Sequence, residues 1–332
     1  MSDTALFMRD LDDRRVPLSA GMIARWLMKG GLDSSAADEA ASVTVAGIAA
    51  AHADAAAHCA PDAATGDRPG EVIRRDDVFA QISRVLLADE LVDVERRVRI
   101  RRWVRTGGQP FVVAVGGSSG VGKSTVSAEV ADRLGIGVVI STDQVRSVIR
   151  SVLAPALLPA LHQSSFSAAK MMLSNLSGNR LLFAFEEQAR IVQHGTAALA
   201  VRSVKEGQQV LVNGVHIVPG LMEVDPDLPL FTYVLTVAGP QEHRGRFIQR
   251  FLDGDRKPTA YLERMDAIRE LDDYIVEQCH RHRVPVITST TFEATVMAVT
   301  DAVSRDLEAR FDTHPKPGPV GRAFGGAPEL PV

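Results

Sequence analysis

The chain has 332 residues, 45% hydrophobic and 23% charged, an ordinary balance for a soluble globular protein whose length suggests two domains. Its net charge of −4 gives no overall attraction to nucleic acid or an anionic membrane, so any phosphate-binding charge has to be local. Cys59 and Cys279 have neither metal-ligand spacing nor the density of a disulfide framework. No apolar run reaches membrane-spanning length, and the acidic start lacks the apolar core of a secretory signal, so a cytoplasmic setting is expected.

Residues 1–105 read as a small, mainly helical region. Pro17-Leu18-Ser19 starts a helix with Ile23, Trp26 and Leu27 on one face, and Gly30-Gly31 stops it. Asp33-Ser34-Ser35 caps an alanine-rich helix running towards His58, and Cys59 to Gly70 reads as a loop. His52 and His58 are expected on its solvated face rather than on a metal. A third helical pattern (Val72, Val78, Phe79, Ile82, Leu86) leads into Leu91 to Arg105. The six arginines there (96, 97, 99, 101, 102 and 105) are expected on the exposed face of a helix whose apolar face is Val94, Val98, Ile100 and Trp103, although the same residues could form an anion patch.

The stretch that organises the chain begins at Phe111. A β-branched apolar run passes into Gly117-Ser118-Ser119-Gly120-Val121-Gly122-Lys123-Ser124, followed by Thr125 and an amphipathic pattern at Val126, Val130 and Leu134. This fits G-x-x-x-x-G-K-[ST] in its proper context of strand, loop and helix. The loop amides and the helix N-terminus would cradle ATP phosphates, Lys123 would reach the β- and γ-phosphates, and Ser124 would hold Mg²⁺. The expected fold is therefore α/β, a P-loop NTPase-type parallel sheet with flanking helices over residues 106–311.

Residues 137–143 read as a second strand ending in Asp143, and Gln144 to Leu153 as its helix. Ligands in open α/β sheets sit at the carboxyl ends of strands, so Asp143 is a candidate to accept a substrate hydroxyl proton or to hold a water on Mg²⁺; the alternative is that Thr142 or Asp143 simply caps the helix. Arg146 and Arg150 share a helix face suited to an anionic substrate. After a Pro-punctuated stretch and a long helix through Phe185 and Val192, Gln209 to His216 is the next strand, with Asn213 where an acid is usual. His216 could contact substrate or be an ordinary strand-end residue. Beyond the strand 230–237, the segment Glu242 to Arg250 reads as a lid whose Arg244, Arg246 and Arg250 would neutralise phosphoryl charge. A last strand (284–290) and helix (293–311) precede a Pro/Gly-rich tail, 312–332, expected to be disordered.

Taken together, Gly116 to Thr125, Ser141-Thr-Asp-Gln-Val-Arg-Ser-Val-Ile-Arg150, Phe185-Glu-Glu-Gln-Ala-Arg190, Asn213-Gly-Val-His-Ile-Val-Pro-Gly220, His243-Arg-Gly-Arg-Phe247 and Asp273-Tyr-Ile-Val276 make the chain resemble the archaeal-type 2-phosphoglycerate kinases. That resemblance covers most of the chain and implies transfer of the ATP γ-phosphoryl to the 3-hydroxyl of 2-phosphoglycerate, with Mg²⁺. It implies Glu where this chain has Asn213, and an ATP-cone-like N-terminal region around Pro17 to Ala41 able to bind nucleotide. The expected partner is a small phosphorylated acid, with no nucleic acid and no membrane; no pattern sets an oligomeric state. A kinase for another phosphorylated or carboxylated alcohol, and a non-catalytic ATP-binding sensor, remain the alternatives.

Overall fold

Five short valine-rich runs supply the sheet of the larger unit. In a computed structural model describing residues 6–12, 14–56, 72–166, 179–221, 228–252 and 259–313, the chain forms two compact units, one ending at Thr106 and rejoined by residues 312 and 313, the other Gly107–Phe311.

The first unit holds β1 (Phe7–Arg9), β2 (Arg15–Pro17), α1 (Ala20–Lys29), α2 (Ser34–Ala56), β3 (Val72–Ile73), α3 (Arg75–Ala88) and α4 (Val92–Arg105). Ser19 caps α1 by accepting from the Met22 amide (3.3 Å), and Asp33 accepts from the Ala36 amide at the start of α2 (2.9 Å). The helical expectation missed a small sheet, ordered β2-β1-β3, in which Val72 and Ile73 are strand residues rather than the start of the third helix. Two-residue and three-residue strands carry too little alternation to be seen in sequence. A core of Met8, Ile23, Leu27, Ile73, Ile82 and Leu86 closes the unit.

The arginine face of α4 is not simply solvated. Arg97 and Arg99 are buried, with Arg97 donating to the Gly30 carbonyl (2.6 Å) and Arg99 to Glu95 and the Thr313 hydroxyl. Thr313 is itself buried, so the tail expectation fails at its first residues; 314–332 lie outside the described residues, as do His58 and the Cys59–Gly70 loop. His52 likewise is not on a solvated face: its ring nitrogens are buried, and burial lowers its pKa.

The second unit runs β4 (Val112–Gly116), α5 (Lys123–Leu134), β5 (Val138–Ser141), α6 (Thr142–Val152), a 3₁₀ turn (Pro159–His162), α7 (Arg180–Lys205), β6 (Val210–Asn213), β7 (Leu230–Thr236), α8 (Pro240–Leu252), α9 (Thr259–Leu262), α10 (Met265–His282), β8 (Val286–Thr288) and α11 (Phe292–Arg310). The five strands are all parallel in the order β5-β6-β4-β7-β8. β4 lies at the centre with every residue buried, which is why it reads as a continuous apolar run rather than an alternation. The chain leaves β4 past β6 to reach β5 and later returns to the other side at β7. The carboxyl end of β4 is therefore the switch point of the sheet, where such folds bind ligands.

Helix α5 buries Val126, Val130 and Leu134 and ends on Gly135 in the left-handed region (φ 79°). Arg133 pairs with both carboxylate oxygens of Glu293 (2.8 Å each) and with Glu129 (2.9 Å), linking α5 to α11.

Candidate active site

The loop from Gly117 to Gly122 turns on glycines with positive φ, 134° at Gly117, 89° at Gly120 and 95° at Gly122. At two of them a side chain is also excluded sterically. A Cβ on Gly117 would collide with the Leu235 carbonyl of β7, and one on Gly120 with the Phe247 ring of α8. No side chain caps α5. Its first amides are therefore left to an anion, reinforced by the helix dipole. Lys123 Nζ donates to the Ser118 carbonyl (2.5 Å), laying its ammonium across the loop. Ser124 and Thr125 are exposed and line a cavity of about 530 Å³ with Arg246, Ser289, Thr290 and Phe292.

Three attachments fix this loop. Ser118 Oγ donates to Asp272 of α10 (2.7 Å), a carboxylate 2% exposed that also accepts from Thr236 at the end of β7 (2.7 Å) and from Arg269 (3.2 Å). His243 of α8 donates from Nε2 to the Ser119 carbonyl (2.6 Å) and stacks on Phe247, which stacks on Tyr261. Burial lowers the His243 pKa, so the ring is neutral and its proton resides on the donating nitrogen. Arg246 is spent on five acceptors: the Val121, Ser289 and Thr290 carbonyls, Ser289 Oγ and Glu242.

On the opposite flank, Thr142 and Asp143 form the first turn of α6, directly after β5. Asp143 is therefore a helix residue rather than the end of a strand. It is 61% exposed, with Arg146 Nε 3.5 Å away, and Arg146 is aimed by its bond to the Gln163 carbonyl (2.8 Å). His216 is fully buried. Its Nδ1 accepts from the Thr142 hydroxyl (2.9 Å) and its Nε2 donates to Gln188 Oε1 (3.1 Å), while the Gln188 amide nitrogen binds the Ala160 and Gln163 carbonyls. Burial drives the His216 pKa down to about 3, opposed by Asp143 and assisted by Arg146 and Lys123. The Thr142–His216 bond joins the ends of β5 and β6, and Lys123 follows β4 on the other side of β6, so the acid, the arginine and the loop lysine lie on one edge of the sheet. Gly214 makes room: a Cβ there would collide with the Thr142 hydroxyl. Asn213 is buried beside Ser141 on one side and Val115 on the other.

A parallel sheet with a lysine-bearing glycine loop at its centre is a nucleotide-phosphate cradle, and comparison with known proteins narrows it to a kinase. A 2-phosphoglycerate kinase of Pyrococcus horikoshii is 31% identical over 232 residues, 70% of this chain and 77% of that protein. The chain belongs to the 2-phosphoglycerate kinase family. A second member, the 2-phosphoglycerate kinase of Pyrococcus furiosus, is 34% identical over 194 residues, 58% of this chain and 64% of that protein's length. No family model matches the chain. Among solved structures, a gluconokinase from Sinorhizobium meliloti aligns with a TM-score of 0.39 at 13% identity, over 60% of this chain and 97% of its own. Like its relatives by name, this member of the 2-phosphoglycerate kinase family is an ATP-dependent phosphotransferase.

The structure gathers Gly117 to Thr125, Asp143, Arg146 and His216 around the carboxyl ends of β4, β5 and β6. It separates others. Arg246 lies on the Ser124 side of the loop, held by protein acceptors, and His216 has both nitrogens occupied and no exposed surface, so neither presents a free group to an acceptor. Arg150 and Arg244 are exposed on α6 and α8, and the Arg250 side chain lies outside the described residues. Sequence reasoning missed Thr142, Gln188, Asp272 and Arg269. Asp272 had a signal: it interrupts the otherwise apolar buried stripe Ile268, Ile275, Cys279 of α10, where an unpaired acid would be costly.

Proposed function

We propose that the chain transfers the ATP γ-phosphoryl to the 3-hydroxyl of 2-phosphoglycerate, giving 2,3-bisphosphoglycerate. The observation that supports this reading is geometric: Asp143 and Arg146, 3.5 Å apart, open the helix that follows β5, on the same carboxyl edge of the parallel sheet as the glycine loop and Lys123 that follow β4. ATP phosphates would lie in the glycine loop against the free amides of α5, with Lys123 moving from the Ser118 carbonyl to the β- and γ-phosphates. The nucleoside would occupy the cavity beside Ser124, Thr125 and Arg246. Asp143, exposed and partnered only weakly, would take the proton of the attacking hydroxyl as its oxygen bonds to phosphorus and ADP departs. Arg146 would bind the acceptor's carboxylate or phosphate, with Arg150, Arg244 and Arg250 as further cations of the acceptor flank and lid.

The residues present suit Mg²⁺ arriving with the nucleotide. Ser124 faces the cavity with an exposed hydroxyl, and no described group of three His, Cys, Asp or Glu forms a separate metal cage. Bound there, the ion would supply Lewis-acid neutralisation of phosphate charge. Asn213 offers an amide rather than a charge, so the ion would be held through the Ser124 hydroxyl rather than through a carboxylate at that position. No described helix is long and apolar enough to cross a membrane; a cytoplasmic location follows from the proposed substrates.

The test is ADP release with ATP and Mg²⁺ across phosphoglycerates, glycerate and related hydroxy acids, with Lys123→Ala as the blank. Turnover on 2-phosphoglycerate well above the others supports the reading. A flat panel with intact ATP binding would replace it with a kinase for a different acceptor or with the non-catalytic sensor.

A second nucleotide site is favoured in the first unit. A cavity of about 450 Å³ is lined by Trp26 and Phe79, stacked at 5.0 Å, and by Arg75, Arg101, Arg102 and Arg105. The Arg75 pKa is lowered by burial and then by its neighbours Arg102 and Arg105, with Asp76 and Asp10 opposing; Asp10 and Asp12 also line the cavity, and the arginines leave an excess of positive charge that suits phosphates. Equilibrium dialysis with ATP is expected to give two sites per chain, falling to one in Arg75→Ala; a single site in the unaltered protein removes this reading.

A further inference from the structure

A buried chain of hydrogen bonds leaves α6 at Thr142 and returns to the same helix at Arg146. The Thr142 hydroxyl donates to His216 Nδ1 (2.9 Å), His216 Nε2 donates to Gln188 Oε1 (3.1 Å), and Gln188 Nε2 donates to the Gln163 carbonyl (3.0 Å). Arg146 Nη1 donates to that same carbonyl (2.8 Å). One end of the chain therefore lies at the residue before Asp143, and the other on Arg146 itself. Between them it passes through the loop after β6, through α7 and through the turn that ends at Gln163.

The direction of every bond is set from one end. Gln188 Nε2 also donates to the Ala160 carbonyl, and two carbonyls on that side of the amide leave its oxygen to face the imidazole. An oxygen there accepts, so His216 Nε2 carries the ring proton, Nδ1 is the acceptor and the Thr142 hydroxyl has to donate. Thr142, His216 and Gln188 are all fully buried, with the Phe185 ring stacked 6.5 Å from the imidazole. Polar groups in such a place add little net stability even when paired, so an apolar side chain would serve packing as well. Nor does the loop after β6 depend on the imidazole: Gln193 holds it by donating to the His216 and Val218 carbonyls. What the imidazole and Gln188 supply is a fixed relation between Thr142 and the Gln163 carbonyl, because a fully satisfied buried network is stiff and admits one arrangement.

We propose that His216 and Gln188 are positioning residues that set Asp143 against Arg146, so that the base and the anion-binding cation meet one acceptor molecule in one geometry. The assignment rests on the placing of Asp143 and Arg146 on the acceptor flank, and not on which acceptor is used. His216 and Gln188 touch no substrate and exchange no proton with it; the hydroxyl proton goes to Asp143.

The experiment cuts each end of the relay in the full-length protein. Gln188→Met keeps the length and removes the amide, Thr142→Val keeps the shape and removes the hydroxyl, and Thr142→Ser gives the hydroxyl back. KM is measured for MgATP and for 2-phosphoglycerate, and kcat is expressed per MgATP site counted by calorimetry, so that unfolded chains do not enter. Gln188→Met is expected to raise KM for 2-phosphoglycerate about tenfold or more, and Thr142→Val to lower kcat per site about tenfold or more, since small misplacements of positioned groups are costly. KM for MgATP should stay within about twofold in both, and Thr142→Ser should bring kcat back to within about threefold of wild type. The two variants cut opposite ends, so one that folds suffices. A role in stability alone would lower the number of MgATP sites and leave kcat per site and both KM values as in wild type. That result overturns the proposal, as does a KM for MgATP that rises as far as that for 2-phosphoglycerate. Wild type active on another hydroxy acid but not on 2-phosphoglycerate overturns the acceptor reading alone, and the split is then read on that acid; wild type active on none overturns both.

Discussion

The two flanks of the phosphate loop are built differently. On the nucleoside side, Arg246 spends its guanidinium on loop and strand-end carbonyls, and His243 and Phe247 pack against Gly120. Its polar groups are satisfied by protein. On the acceptor side, the buried layer of Thr142, His216 and Gln188 is equally saturated, but the layer above it, Asp143 and Arg146, keeps unspent bonding capacity. A binding surface for a common nucleotide can be rigid and closed to variation; the reacting surface needs groups whose partners arrive with the substrate.

That contrast makes Asp143→Asn the larger of the two flank effects: turnover should fall about 100-fold or more while MgATP affinity and melting temperature hardly move, because a base is lost and little packing with it. A loss of melting temperature with turnover retained would make the carboxylate a helix cap instead. Arg246→Ala should act on the other flank, raising KM for ATP about tenfold and destabilising the unit by about 2 kcal/mol as several carbonyls lose a charged donor, with KM for the acceptor unchanged. Steady-state kinetics varying each substrate separately, plus a urea titration, would show a shared effect if the flanks were not distinct.

The smallest effect is a pH dependence of stability from the buried layer. His216 would bind a proton near pH 6.5 in the unfolded chain and only at about 3 in the native one. Between those values the unfolded state holds the extra proton, so stability is present above about pH 6.5 and is lost as pH falls towards 3. His243, also lowered by burial, adds in the same direction. Urea midpoints at pH 7, 6 and 5 should decline, less steeply in His216→Gln; equal slopes in both proteins would remove His216 as the cause.

The parts of this architecture legible in sequence are those with a local signature. The β4–loop–α5 unit announces itself because glycine spacing, the lysine and a 3.6-residue apolar pattern are all consecutive. The strands around it are apolar runs bounded by turns. What stayed hidden is the pairing of distant polar residues: Thr142 with His216 across 74 positions, Ser118 with Asp272 across 154. Nothing in the neighbourhood of Gln188 says that its amide will orient an imidazole, and arginines at helical spacing look alike whether they line a cavity or cap a carbonyl.

The meeting of Gly214 with Thr142 carries a consequence for how this site can change over time. Any side chain at 214 would occupy the space of the Thr142 hydroxyl, so it could enter only after position 142 had shrunk, and shrinking it removes the donor that His216 accepts. The two positions are locked to each other in descent: neither can drift alone without stranding a buried imidazole, and a route to a new acceptor would have to pass through the exposed layer above them.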